Sequence, residues 1–105
     1  MGYVYLIEDV DNNRYKIGVT KNLEKRIRNL QTGNSNKIVL IESYKTEYPF
    51  RLETMLHTYF KQFHHYNEWY ELDIDSVKKF IELCENFNNI IISLKDNPFF
   101  AKNLK

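Results

Sequence analysis

The pattern of apolar residues predicts an α/β domain: a central, mostly antiparallel three-stranded sheet, built from an N-terminal hairpin plus a third strand, flanked by helices. Three observations predict it. Two short β-rich runs enclose an Asp/Asn turn near the N-terminus. A third apolar run follows one helical stripe, and two more helical stripes come after it.

Tyr3 to Glu8 alternates and is rich in strand formers, Asp9 to Asn13 supplies turn residues, and Tyr15 to Thr20 is a second β-branched run. Together they read as a β-hairpin. Asn22 suits a helix N-cap. Leu23, Ile27 and Leu30 follow at i, i+4 and i+7 as one apolar stripe, and Gly33 ends the helix. Lys37 to Tyr44 reads as the third strand. Its unbroken apolar start predicts a strand buried on both faces, at the centre of the sheet.

Pro49 suits the first turn of a second helix, with Leu52, Leu56, Tyr59 and Phe63 marking its buried face. Glu68 to Leu72 reads as a short strand or tight loop. Asp75 and Ser76 can cap a third helix, with Val77, Phe80, Ile81, Leu83 and Cys84 as its buried side. Ile90 to Leu94 extends a helix or docks as a strand. One domain over residues 1–105 is expected, with 73–105 as a C-terminal helical extension.

Composition narrows the function classes. Hydrophobic residues make up 43% of the chain, enough for a packed core. Eight Tyr invite a search for a polar site lined by phenols. The net charge of +1 gives no overall basic signature, so any nucleic-acid surface must come from local clustering. One cysteine excludes an intrachain disulfide and a four-cysteine zinc site. The absence of an apolar run of membrane length or a signal-peptide pattern predicts a soluble, intracellular protein with no membrane partner.

Three segments carry candidate chemistry: Tyr3-Val4-Tyr5; Tyr15-Lys16-Ile17-Gly18 followed by Arg26; and Glu53 with His57, followed by Asn67-Glu68-Trp69-Tyr70. Tyr5 and Lys16 lie about midway along their strands and are expected to be cross-strand neighbours. An ammonium beside a phenol favours phenolate, which makes a tyrosine a usable base. Gly18 marks a close backbone approach, by substrate or by packing. Arg26 falls roughly 60–70° from the centre of its helix's buried stripe, so it can lie along the sheet near the hairpin. Its fork suits phosphate. Lys21, Lys25 and Arg28 cluster with it as a phosphate-tracking patch. Glu53 and His57 share one helix edge at i, i+4. A carboxylate there is a ligand of the kind Mg²⁺ takes, alongside substrate phosphate. A base, a cation and a metal ligand together suit phosphodiester hydrolysis.

On these residues the sequence resembles the GIY-YIG endonuclease family, in a small phage- and virus-associated branch whose second motif reads K-I-G. Val4-Tyr5 matches the first motif, with Tyr3 in place of Gly. Lys16-Ile17-Gly18 matches the second, with Lys16 in place of Tyr. Leu30 stands where many members have His. The resemblance covers about residues 2–72. It implies a metal-dependent endonuclease acting on double-stranded or branched DNA: Tyr5 as base assisted by Lys16, Arg26 on the phosphorane charge, and Mg²⁺ (or Mn²⁺) on Glu53. Tyr15, His57 or Tyr70 would replace the missing polar helper. A homodimer would suit double-strand breaks. The rival expectation is a nucleic-acid-binding module that keeps the fold without cutting.

Overall fold

A computed structural model describes residues 1–95. The predicted α/β class holds, but the sheet has five strands rather than three, in the order β3-β1-β2-β5-β4, all paired antiparallel. The elements are β1 (Gly2–Asp9), β2 (Arg14–Thr20), α1 (Leu23–Thr32), β3 (Ile38–Thr46), α2 (Pro49–Phe60), β4 (His65–Tyr66), β5 (Trp69–Tyr70), α3 (Ile74–Lys78) and α4 (Phe80–Lys95).

The strand buried on both faces is β1, not β3. Val4 and Leu6 face a core built with Leu52, Leu56 and Phe60 of α2 and Phe80, Cys84 and Ile91 of α4. Tyr5 and Ile7 face Leu23, Ile27 and Leu30 of α1. β3 lies at the sheet edge, and its Leu40 is 37% exposed. An apolar run records β-propensity, but its place in the sheet depends on which strand finds two neighbours. A register shift between Leu6 and Ile7 puts a bulge into the β1–β3 pairing, a common irregularity at sheet edges.

Local signals hold the elements in place. The Asn22 side chain accepts from the Lys25 amide, 3.1 Å, and caps α1. Gln31 accepts from the Ile38 amide, 2.9 Å, and donates to the Asn36 carbonyl, 2.8 Å, so it braces the α1–β3 loop. Pro49 opens α2, and the buried face of that helix is Leu52, Leu56 and Phe60. Tyr59, expected on that face, is 37% exposed; Leu52, Leu56 and Phe60 at i, i+4, i+8 share one side of the helix, and Tyr59 falls about 60° from its centre. The cap of the third helix is Asp73, which accepts from the Ser76 amide at 2.7 Å, rather than Asp75 or Ser76. Ile90 to Leu94 belongs to α4. Of the expected C-terminal extension, residues 96–105 lie outside the described residues. Cys84 is enclosed in the core, and burial pushes its thiol up to about 12; it is inert packing.

Asp9 anchors the β1–β2 turn. It is fully buried and accepts from Asn12 Nδ2 at 2.9 Å, Arg14 at 3.1 Å and Asn36 at 3.4 Å. Burial disfavours its charge, but the hydrogen bonds from Asn12, Arg14 and Asn36 outweigh that and hold the carboxyl below its usual value. In the unfolded chain the same group takes up a proton at higher pH. Its stabilisation is therefore complete above the ordinary carboxylate range and is lost as pH falls through the lower folded value. Urea unfolding from pH 7 down to pH 3 should show stability dropping below about pH 4. Asp9→Ala should cost about 2 kcal/mol at pH 7 and flatten that acid limb.

Candidate functional site

β5 pairs with β2 only at Tyr15↔Tyr70, so the second half of β2 has no strand on its outer edge. A cleft of about 470 Å³ opens there. Side chains from both faces of the sheet reach it around this free edge. Tyr5, Lys16 and Arg26 come from the α1 side, Glu53 and His57 from α2, and Glu68 and Tyr70 from the β4–β5 hairpin. Five predicted site residues therefore converge: Tyr5, Lys16, Arg26, Glu53 and His57.

The floor is set by Gly18. Tyr5 stands directly opposite Gly18 in the β1–β2 register. A Cβ at residue 18 would collide with the Tyr5 hydroxyl and ring. Of the two roles that a strand glycine at this point could serve, packing of the Tyr5 ring is the one observed. The ring is fully buried, and its hydroxyl accepts from Arg26 Nε at 3.2 Å. That bond fixes the guanidinium and leaves its terminal amino groups for other acceptors.

Lys16 differs from expectation. It stands opposite Ile7, not Tyr5, so it is a diagonal neighbour of the phenol on the same face. Its ammonium pairs with Glu68 at 2.8 Å and lies 5.9 Å from the Trp69 ring centre. The cation on the Tyr5 hydroxyl is Arg26. The hydrogen bond from Lys16, and then its charge, hold the Glu68 carboxyl below its usual value. Glu68 sits in the turn between β4 and β5, beside Asn67, which adopts a left-handed φ of 56°. Asn tolerates that conformation.

On the opposite wall, His57 Nδ1 meets the Tyr70 hydroxyl at 2.6 Å, and its Nε2 lies 3.8 Å from Glu53 Oε2. Burial, and then the Glu53 charge, raise the Tyr70 phenol above its ordinary value. Tyr70 therefore stays protonated near neutrality, and its hydroxyl can donate to Nδ1 or accept from it according to the His57 tautomer.

Among the described residues no group of three or more His, Cys, Asp or Glu could hold a metal ion by itself. Glu53, with its side chain 25% exposed in the cleft, fits the other arrangement. There one carboxylate is completed by water and phosphate, as Mg²⁺ accepts. His57 and Glu53 together could serve a softer ion.

Tyr15 is not in the cleft. It sits in the core on the α2 and α4 side, and its hydroxyl bonds Glu8 at 3.3 Å. One residue along a strand reverses the face, so Tyr15 and Lys16 part company. Lys21, Lys25 and Arg28 are exposed and also lie outside the cleft. Tyr70, one of the expected polar helpers, lines the cleft, and Glu68, with no role assigned from the sequence, joins it there. A two-residue Asn-Glu turn between aromatic pairs was the hairpin signal that could have placed them.

Residues 2–85 match the family model of the T5orf172 domain. The chain belongs to the T5orf172 domain family. This corrects the GIY-YIG resemblance. Val4-Tyr5 and Lys16-Ile17-Gly18 are short pieces of two paired strands, where aromatic and β-branched residues are common for packing reasons alone. The T5orf172 match is continuous and runs beyond residue 72 through α3 into α4. Roles that the resemblance implied now rest on geometry only. Uncharacterized protein 460R of Invertebrate iridescent virus 6 is 28% identical over 104 residues, covering 92% of this chain and 46% of that protein. The chain thus spans less than half the length of this relative. No solved structure matches. No helix among the described residues is long and apolar enough to cross a membrane.

Gly18→Ala tests the floor of the T5orf172 cleft. The added methyl should displace the Tyr5 ring, cost about 1–3 kcal/mol in urea unfolding and break the Tyr5–Arg26 bond. Tyr5→Phe should keep most of the stability and lose only that bond. Equal stability of Gly18→Ala and wild type would refute this packing.

Proposed function

We propose that this domain hydrolyses phosphodiester bonds in DNA, with Mg²⁺ or Mn²⁺ held at Glu53. The observation that carries the reading is the Arg26 guanidinium, anchored on the Tyr5 hydroxyl at 3.2 Å in a cleft that Glu53 also lines. A phosphate between them meets a fixed fork on one side and a carboxylate suited to a divalent cation on the other. Such donors, fixed before charge develops, are the main source of electrostatic rate enhancement.

Arg26 offers its terminal amino groups to the non-bridging oxygens. Tyr5 is fully enclosed, with Arg26 on its hydroxyl. For Tyr5 to act as base, the attacking water must reach the phenol oxygen beside Arg26, which keeps its place there and favours the phenolate. Lys16 adds a second cation once phosphate displaces Glu68 from it. Bound at Glu53, the divalent cation would supply Lewis-acid help to the leaving oxygen. Lys21, Lys25 and Arg28, exposed around α1, would track neighbouring phosphates. One cleft per chain serves one strand at a time, so a double-strand break would take two copies.

The charge inventory of the cleft favours a second reading. Lys16 and Arg26 are balanced by Glu53 and Glu68, so without a bound cation the cleft has no surplus attraction for phosphate. A non-cleaving nucleic-acid-binding module is the alternative.

Supercoiled plasmid and branched DNA in Mg²⁺ or Mn²⁺ separate the two. Wild type should cut, and Arg26→Ala and Glu53→Ala should each lose roughly 10²-fold or more. Identical background nicking by all three would remove the enzyme reading. A salt-dependent gel shift retained under that outcome would assign the binding module.

A further inference from the structure

Phe50 is 63% exposed at the start of α2. A single exposed ring is ordinary on a protein surface, but what surrounds this one is not. At ~100° per residue, Phe50, Glu53 and His57 fall within about 60° of one another on α2. Phe50 thus continues, about 4.5 Å of helix rise before Glu53, the side of α2 whose Glu53 and His57 line the cleft. A shallow hollow of about 60 Å³ lies at this point, lined by Val19, Lys21, Pro49 and Phe50 among others. Val19 also lines the main cleft, so the two adjoin along the free edge of β2.

The hollow is apolar, yet basic groups flank it. Lys21 lines it, exposed Arg51 follows Phe50, and Arg26 and Lys16 stand in the adjoining cleft. An apolar ring beside a line of cations matches a nucleotide strand, with a base for the ring and phosphates for the cations. A base inside a duplex is already stacked on both faces, so a side-chain ring can take only an unstacked one.

Resting on the phosphodiesterase reading of the cleft, we infer that Phe50 is a stacking platform for an unpaired base next to the phosphate held at Arg26 and Glu53. The substrate class is then a DNA strand that is single-stranded at the cleft, such as a flap, a branch or a free strand. The bound phosphate lies in the main cleft, and its neighbouring base turns onto Phe50 over the hollow. Lys21 meets the next phosphate along the chain.

The test is fluorescence anisotropy with a labelled oligothymidine and a blunt duplex of equal length, in Ca²⁺ in place of Mg²⁺, so that a hard cation occupies Glu53 while binding is read without cleavage. Wild type should bind the single strand more tightly than the duplex. Phe50→Ala should weaken single-strand binding about fivefold or more and leave duplex binding unchanged. Phe50→Trp should restore it, and unchanged thermal unfolding of both variants confirms the fold. No single-strand binding by wild type, or equal single-strand affinity for Phe50→Ala and wild type, overturns the inference. So does self-association lost in Phe50→Ala with oligonucleotide affinity intact, which would assign the ring to a second copy of the chain. A full Phe50 effect with no plasmid cutting keeps the platform and removes the nuclease. Cutting without a Phe50 effect does the reverse.

Discussion

The Tyr5 ring occupies the volume that a side chain at residue 18 would fill, and this constrains everything around it. With the ring laid across β2, its hydroxyl emerges at the strand's free edge and accepts from Arg26 Nε. The guanidinium is thereby held without using its terminal amino groups. A long, flexible arginine on an exposed helix would otherwise spend rotamer entropy each time it met a ligand. The buried phenol spends that entropy once, on folding.

The second constraint is topological. β1 is buried on both faces, so its alternate residues feed two cores, one under α1 and one under α2 and α4. Groups on opposite faces of a sheet do not ordinarily meet. They meet here because β5 covers β2 only at Tyr15, which leaves the rest of that edge open. Arg26 reaches the gap from one face, Glu53 and His57 from the other, and the β4–β5 turn brings Glu68 in from the side. The Lys16–Glu68 pair ties that turn to β2. Glu68 is mostly exposed, so the pair is weakly held and open to competition by an anion.

Membership of the T5orf172 family places the chain among its relatives without assigning a chemistry. The cleft offers a preset fork, a carboxylate on the facing wall, and a histidine hydrogen-bonded to a tyrosine hydroxyl. Fold and function are separate inferences, and the separation matters here because the short motifs that suggested a different family sit in strands whose composition packing alone would produce.

Sequence periodicity by itself determined the α/β class, the N-terminal hairpin, the cap at Asn22, the first-turn Pro49, and the i, i+4 pair Glu53 and His57. These follow from local stereochemistry, which needs only a few neighbouring residues. It also picked out Tyr5, Lys16 and Arg26, because strand alternation and helix angle limit where each can point. Tertiary structure decided the rest. It made β1 rather than β3 the central strand, and it slid Lys16 two residues from Tyr5 and onto Glu68. It sent Tyr15 into the core and closed the sheet with a hairpin whose strands are only two residues each. Register, strand order and edge coverage are contacts between distant segments. A sequence read in windows carries their composition but not their pairing.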